Sequence, residues 1–135
     1  MNFKTFSKFI DFLPPEFLHS LFISFLKTQI YKKNDNFENL KIKVFGKEFK
    51  NPLGLAAGFD KNAEVIQGAL NLGFSFLELG TVTPMPQYGN QKPRVFKIPE
   101  FEAVIQRLGF NNKGVEEFLE KLKKAHKIKS ILGVN

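Results

Sequence analysis

The sequence contains no cysteine and no tryptophan, and only His19 and His126 among its 135 residues are histidines. Without cysteine the chain can form neither a disulfide framework nor a thiolate metal site, which is compatible with a reducing compartment. Two histidines do not make a histidine-rich metal centre. Disulfide scaffolds are therefore excluded, and we predict no metal site.

Long hydrophobic runs are also absent. No stretch approaches the roughly 20 apolar residues that a membrane span requires. The N-terminus lacks the short apolar core and the small-residue cleavage site of a secretory signal. We therefore expect no integral membrane segment. The composition, with 43% hydrophobic and 24% charged residues, is typical of a chain that folds.

Acidic residues are fewer than basic ones, 13 against 20, which gives a net charge of +7. Such an excess can indicate binding to nucleic acid or to an anionic membrane surface. Here the charge is scattered, with Lys32–Lys33 and Lys123–Lys124 as the longest basic runs, and no nucleic-acid-binding motif accompanies it. We predict no nucleic-acid partner and a solvated surface with some bias toward acidic lipid.

Residues 1–31 are predicted to form two short helices separated by Pro14-Pro15, because apolar residues recur at helical spacing on both sides. Pro15 and Glu16 suit the first turn of the second helix. The two apolar faces either pack on each other and on the rest of the chain, or form a hairpin that lies in a membrane interface. The abundance of phenylalanine favours the membrane interpretation, and residues 32–39 are a polar linker.

Residues 40–135 alternate between strand and helix patterns. A small hairpin around Gly46 is followed by an apolar strand over residues 52–58 and a helix over residues 63–71, with Asn62 as its cap and Gly73 at its end. A second strand, Phe74 to Leu79, leads into a long loop rich in Pro and Gly, from Val82 to about Pro99. The last helix carries the stripe Val115, Phe118, Leu119, Leu122 and Ala125, and a third strand covers 130–135.

This order predicts an α/β fold with parallel strand pairing. About three βα units are visible, whereas a closed eight-unit barrel needs about 250 residues. The pattern fits either a small open α/β domain or a piece of a barrel.

Three polar patches follow the predicted strands, on the face where barrels build their active sites. In residues 56–62, small residues let a ligand approach the backbone and Lys61 places a cation there, although an ordinary loop with a surface lysine has the same composition. In residues 78–84, the Thr81 hydroxyl can donate to a ring or a phosphate, or can simply reflect turn chemistry. Residues 106–112 hold more hydrogen-bonding groups than the helix cap at Asn112 requires, which suits a planar ligand with several carbonyls.

Four strings in these regions resemble the signature blocks of dihydroorotate dehydrogenases. They are Asn-Pro-Leu-Gly-Leu-Ala-Ala-Gly-Phe-Asp-Lys (51–61), Gly-Thr-Val-Thr-Pro (80–84), Gly-Asn-Gln-Lys-Pro-Arg-Val-Phe (89–96) and Leu-Gly-Phe-Asn-Asn (108–112). They occur in the family's order, and the likeness runs from about residue 40 to Asn135. The stretch Leu-Pro-Pro-Glu-Phe-Leu-His (13–19) resembles the extension that marks the quinone-dependent branch.

The resemblance implies the first part of an FMN-containing (β/α)8 TIM barrel that oxidises dihydroorotate to orotate in pyrimidine (UMP) biosynthesis, with a membrane quinone as electron acceptor. By the same resemblance, FMN would contact Ala57, Gly58, Phe59, Asp60, Lys61, Thr81 and Asn135. Orotate would contact Lys61, Gln106, Arg107, Leu108, Gly109 and Phe110. The quinone tunnel would include His19 and Lys97.

Two positions depart from the family pattern, which usually has asparagine at Gln106 and arginine at Lys97. The family's catalytic serine is expected beyond Asn135, so this chain alone is expected to be inactive. The resemblance also implies peripheral contact with lipid on the cytoplasmic side of the cell membrane. The alternative is a non-catalytic module that binds a membrane surface and an anionic ligand.

Overall fold

The computed structural model describes residues 13–31, 38–125 and 127–135. The first predicted helix, apart from Leu13, and linker residues 32–37 lie outside this range, as does His126. In chain order the elements are α1 (Pro15–Lys27), a 3-10 turn (Glu38–Leu40), β1 (Ile42–Val44), β2 (Lys47–Phe49), β3 (Gly54–Leu55), α2 (Ile66–Asn71), β4 (Phe76–Leu79), β5 (Val95–Ile98), a 3-10 turn (Pro99–Phe101), β6 (Ala103–Gln106), α3 (Gly114–Lys124) and β7 (Ile131–Val134).

Helix α1 confirms the second predicted helix. Pro15 and Glu16 occupy its first turn, as expected, and Lys27 lies in its last turn. One face is buried, where Ile23 and Leu26 pack against Val65. Other apolar side chains of the helix are exposed to solvent: Phe17, Leu21, Phe22 and Phe25 are all between 41% and 55% exposed.

Strands β3, β4 and β7 form a parallel sheet in that order. Leu77 and Leu79 point to the same face because successive side chains on a strand alternate, and both are 1% exposed. They form the core with Ala69 from α2 and Phe118 from α3. The predicted α/β fold with parallel pairing is confirmed, although β3 is shorter than the apolar run over residues 52–58.

Helix α3 also confirms its prediction, with one correction. Phe118 is buried, and Leu122 and Ala125 pack against the same core, as the apolar stripe predicts. The prediction that Leu119 belongs to the buried stripe is wrong, because its side chain is 44% exposed. The N-cap of α3 is Lys113, one residue after the predicted cap Asn112, but the side-chain oxygen of Asn112 accepts the backbone N–H of Gly114 in the first turn at 2.8 Å.

The predicted cap at Asn62 is wrong. Helix α2 begins only at Ile66, and Asn62 instead accepts the backbone N–H of Lys113 at 2.9 Å. The two carboxylate oxygens of Asp60 accept the N–H groups of Glu64 at 2.8 Å and Val65 at 2.9 Å. Asp60 therefore organises the turn that enters α2, because each of its two carboxylate oxygens satisfies one backbone donor there.

The predicted loop from Val82 to about Pro99 is wrong at its end. Strand β5 begins within it and pairs antiparallel with β6, with Val95 opposite Gln106. Glu102 has a left-handed conformation after the 3-10 turn and so reverses the chain between the two strands. A second antiparallel hairpin, β1 with β2, confirms the predicted turn at Gly46.

No helix in the described part of the chain is long and apolar enough to cross a membrane.

Candidate functional site

The carboxyl ends of the three parallel strands are joined by backbone hydrogen bonds. The N–H of Gly58 donates to the carbonyl of Gly80 at 2.7 Å, and the N–H of Gly80 donates to the carbonyl of Asp60 at 3.1 Å. The N–H of Asn135 donates to the carbonyl of Leu79 at 2.9 Å. The ends of β3, β4 and β7 therefore meet at one edge of the sheet. The first two polar patches lie at the ends of β3 and β4, whereas residues 106–112 follow the antiparallel strand β6.

A cavity of about 480 Å³ opens at this edge. We call it the strand-end cavity, and it is lined by Ala57, Gly58, Lys61, Thr81, Asn90, Gln106, Arg107, Leu108, Gly109 and Phe110. It brings together residues from all three polar patches, which lie up to 53 positions apart between Ala57 and Phe110. All five members of the predicted segment 106–110 line it.

A second cavity, of about 510 Å³, lies between α1 and the strand ends. We call it the α1 cavity, and its walls include Glu16, His19, Phe59, Asp60 and Arg94. It shares Gly58, Lys61 and Leu108 with the strand-end cavity. These three residues therefore form the partition between the two spaces.

Lys61 is the charged residue of that partition. Its ammonium donates to the carbonyl of Gly58 at 2.5 Å, which fixes the side chain beside the strand end. Burial lowers the pKa of Lys61 below its usual value, the charge of Arg94 lowers that pKa further, and the charge of Glu16 opposes both. A partly desolvated cation interacts more strongly with an anionic ligand than a cation in open solvent does.

Gly58 leaves room for a flat ligand at the same place. Its φ is +99°, which side-chain-bearing residues rarely adopt, and a Cβ added there would meet no heavy atom within 4 Å. The backbone of Gly58 therefore faces open space that both cavities share.

The predicted cofactor residues differ in what their side chains do. The Thr81 hydroxyl donates to the side-chain oxygen of Asn135, so these two predicted residues touch each other. Phe59 lies in the α1 cavity together with Asp60, whose carboxylate is taken up by the entrance to α2. Thr81 and Asn135 lie at the strand ends, whereas Asp60 acts on the structure of the loop.

The segment 106–110 presents backbone groups as well as side chains. The side-chain oxygen of Gln106 accepts the N–H of Leu108 at 3.0 Å, so the amide folds back on its own loop. The guanidinium of Arg107 lies 6.0 Å from the ring centre of Phe96 and donates to the carbonyl of Pro93 at 3.1 Å. These contacts hold the wall of the strand-end cavity in place.

The two predicted quinone-tunnel residues are separated. His19 lines the α1 cavity, where its Nε2 lies 2.8 Å from the carbonyl oxygen of Phe59. Its ring also meets the Phe59 ring edge to face, with centres 5.3 Å apart. Lys97 lies on β5 opposite Val104 and lines neither cavity.

Two residues of the site are not among those that the sequence predicts. Asn90 lines the strand-end cavity, and Arg94, only 6% exposed, lines the α1 cavity. Both stand in the string at 89–96 that carries the family resemblance. The signal for Arg94 was its position between a proline and an apolar run, where a side chain is expected to be buried. A buried arginine requires a charged partner.

A cluster of charges ties α1 to α3 beside the α1 cavity. Lys27, Lys113 and Lys121 all contact the carboxylate of Glu64 at 3.0 Å or less. Burial would raise the pKa of Glu64, but hydrogen bonds from the three lysines prevail and lower that pKa to about 2. Glu64 is therefore a carboxylate at neutral pH. It links α1, through Lys27, to α3, through Lys121.

The described residues contain no group of three or more His, Cys, Asp or Glu side chains that could hold a metal ion.

Comparison with known proteins shows the family to which the chain belongs. The family model for dihydroorotate dehydrogenase matches residues 39–135. The chain belongs to the dihydroorotate dehydrogenase family. The match covers both cavities except for the part that α1 contributes, and it confirms the resemblance seen in the four sequence strings.

Curated relatives extend the likeness to α1. The chain is 48% identical over 125 residues to a dihydroorotate dehydrogenase (quinone) of Acinetobacter baylyi, with 91% of this chain and 37% of the relative covered. It is 44% identical over 133 residues to the protein of that name from Buchnera aphidicola, with 95% and 39% covered. The chain thus spans less than two-fifths of the length of these relatives.

Solved structures agree. A dihydroorotate dehydrogenase of Eimeria tenella in complex with ferulenol matches with a TM-score of 0.83 and 37% identity, over 92% of this chain and 35% of that one. The ligand-free form matches with a TM-score of 0.82. The fold is therefore the first part of a TIM barrel preceded by a helical extension, as predicted.

Proposed function

We propose that this chain forms the first part of a site that oxidises dihydroorotate to orotate in pyrimidine biosynthesis, with FMN as cofactor and a quinone as electron acceptor. The observation that carries this proposal is the strand-end cavity, because it gathers Lys61, Thr81 and the segment 106–110 around open backbone at Gly58. The names of the curated relatives support the same reaction.

The residues at the strand ends fit a flavin. Ala57 and Gly58 present small surfaces on which a planar ring system can lie. Thr81 lines the same cavity with its hydroxyl, and Asn135, which that hydroxyl contacts, brings an amide beside it. A bound flavin would supply a hydride-accepting ring, which no amino-acid side chain provides.

Lys61 is placed to act on negative charge. Because the carbonyl of Gly58 holds its ammonium at the partition, the cation is oriented before a ligand arrives. Such a fixed cation stabilises negative charge that develops during hydride transfer and attracts the carboxylate of the substrate. Lys61 therefore serves binding and transition-state stabilisation from one position.

The segment 106–110 fits a planar substrate with carbonyl and N–H groups. Leu108 and Gly109 bring backbone to the cavity wall, and Gln106 brings an amide where the family usually has asparagine. The side-chain oxygen of Gln106 accepts the N–H of Leu108 at 3.0 Å. Orotate would meet this amide already oriented by its own loop.

The exposed face of α1 supports contact with a membrane and access for a quinone. Phe17, Leu21 and Phe25 are spaced by four residues and are 46% to 55% exposed, so they form one apolar stripe. The buried side of the same helix borders the α1 cavity through His19. An apolar quinone could pass from the lipid on the cytoplasmic side along α1 to the partition at Lys61.

The membrane role predicts a specific loss of binding. Leu21→Glu, in the centre of the stripe, is expected to reduce co-sedimentation of the chain with anionic liposomes by about tenfold, because a charge would enter the headgroup–acyl boundary. Leu119→Glu on α3 is the matched control, since Leu119 is 44% exposed on another helix. Equal binding by both variants and the parent chain would show that the stripe does not contact lipid.

Functional replacement tests the reaction. In a chimaera, this chain takes the place of the segment it matches in the Acinetobacter baylyi relative. We expect the chimaera to bind FMN and to reduce a quinone in the presence of dihydroorotate at a rate within about tenfold of the parent, because the cavity residues other than Gln106 follow the family pattern. A folded chimaera that binds no flavin would overturn the proposal.

A further inference from the structure

Arg94 is a buried cation with a partner on another element. It immediately precedes β5, and its Nε and Nη2 donate to one carboxylate oxygen of Glu16 on α1 at 3.0 Å and 2.7 Å. The hydrogen bond from Arg94 is the main cause that lowers the pKa of Glu16. A buried guanidinium needs such a partner, so the pair fixes α1 against the start of β5.

The other side of the same guanidinium holds a loop. Nη1 of Arg94 donates to the carbonyl of Tyr88 at 2.6 Å and to the carbonyl of Asn90 at 3.0 Å. One side chain therefore binds α1 through its charge and residues 88–90 through two backbone oxygens. A planar guanidinium has donors on several edges, which allows both contacts at once.

Residues 88–90 in turn support the wall of the strand-end cavity. The backbone N–H of Asn90 donates to the carbonyl of Leu108 at 3.1 Å, and its side-chain amide donates to the carbonyl of Arg107 at 2.7 Å. The loop and the wall are in close contact, because a Cβ on Gly89 would lie 2.1 Å from the carbonyl oxygen of Leu108. A shift of the loop must therefore be passed on to the wall.

We propose that Glu16 and Arg94 are positioning residues that couple the placement of α1 to the substrate wall at Arg107 and Leu108. Neither lines the strand-end cavity, so both act through residues 88–90. That this wall binds the substrate rests on the proposed function. Through this coupling, the placement of α1 sets the shape of the strand-end cavity, which Lys61 separates from the α1 cavity.

Hydrogen exchange of the 135-residue chain tests the coupling without any activity. Glu16→Gln keeps the shape and removes the charge, whereas Arg94→Lys keeps the charge and removes the fork. In both variants we expect the amides of Asn90 and Leu108 to exchange about tenfold faster, because charge-assisted bonds are replaced by weaker ones or lost. Lys92→Gln is the control, since Lys92 is 70% exposed and lies 3.9 Å from the same carboxylate.

The core amide of Leu79 reports whether each variant is folded. Should Arg94→Lys speed exchange at Leu79 as well, Glu16→Gln decides the question alone. Unchanged exchange at Leu108 in a folded Glu16→Gln chain would overturn the coupling.

A kinetic readout in the chimaera separates positioning from general damage. Glu16→Gln is expected to raise KM for dihydroorotate by about fivefold with kcat within about twofold, and Glu16→Asp is expected to recover part of the loss. A fivefold fall in kcat with an unchanged KM in Glu16→Gln would contradict a positioning role. If the chimaera shows no turnover at all, the proposed function fails, while the exchange result still stands on its own.

Discussion

Replacement of Lys61 by alanine in the chimaera is expected to lower kcat/KM for dihydroorotate by about 100-fold or more. The ammonium is fixed on the carbonyl of Gly58 at the partition between the two cavities, where a ligand in either space meets it. Removing one preoriented group that stabilises developing charge commonly costs about 100-fold to 1000-fold in rate. Dihydroorotate-dependent reduction of a dye measures the effect directly.

Two controls give this result its meaning. Lys124→Ala removes an exposed lysine at the end of α3 and is expected to leave the rate unchanged. The flavin absorbance of Lys61→Ala shows whether the loss comes from lost cofactor or from lost chemistry. Full activity in a flavin-loaded Lys61→Ala protein would remove Lys61 from the mechanism.

Asp60→Ala is expected to lower the free energy of unfolding by about 3 kcal/mol, because it removes a buried carboxylate that accepts two backbone N–H groups. Asp60 is 3% exposed, and the amides of Glu64 and Val65 would lose their partner in a place that water reaches poorly. Urea denaturation followed by circular dichroism gives the difference.

Asn62→Ala is the matched comparison for Asp60. Asn62 accepts the N–H of Lys113 in an exposed hydrogen bond, so its replacement is expected to cost about 1 kcal/mol or less. A larger loss from Asn62→Ala than from Asp60→Ala would restore Asn62 as the residue that organises the entrance to α2.

The main elements of the fold could be predicted because their patterns are local. Helix α3 repeats its apolar residues every three or four positions, and the structure buries Phe118 as that period requires. The parallel sheet followed from apolar strands alternating with helices. Leu119 lies on the edge of the stripe, where a small rotation of the helix about its axis decides whether a side chain faces the core or the solvent.

The missed elements depend on contacts that sequence spacing does not reveal. Strand β5 was hidden by neighbouring proline and glycine, although Val95 to Ile98 and Ala103 to Gln106 form a ladder of four residue pairs. Asp60 and Asn62 are both good capping residues, and only the path of the chain before α2 decides which one reaches the free N–H groups.

The site shows the same division. Family strings placed Lys61, Thr81 and the segment 106–110 at strand ends, and the strand-end cavity brings them together. The ion pair of Glu16 with Arg94 joins residues 78 positions apart, so no local pattern could indicate it. Asn90 was missed for a similar reason, since its partners are the backbone carbonyls of a distant loop.

The order of the parallel sheet has a consequence for what can join it. Strands β3 and β7 each pair with β4 alone, so within the described residues each keeps one row of backbone donors and acceptors outside the ladder. Rows of this kind accept a further strand through main-chain hydrogen bonds. The sheet of this first part of a barrel can therefore be extended on both sides, at β3 and at β7.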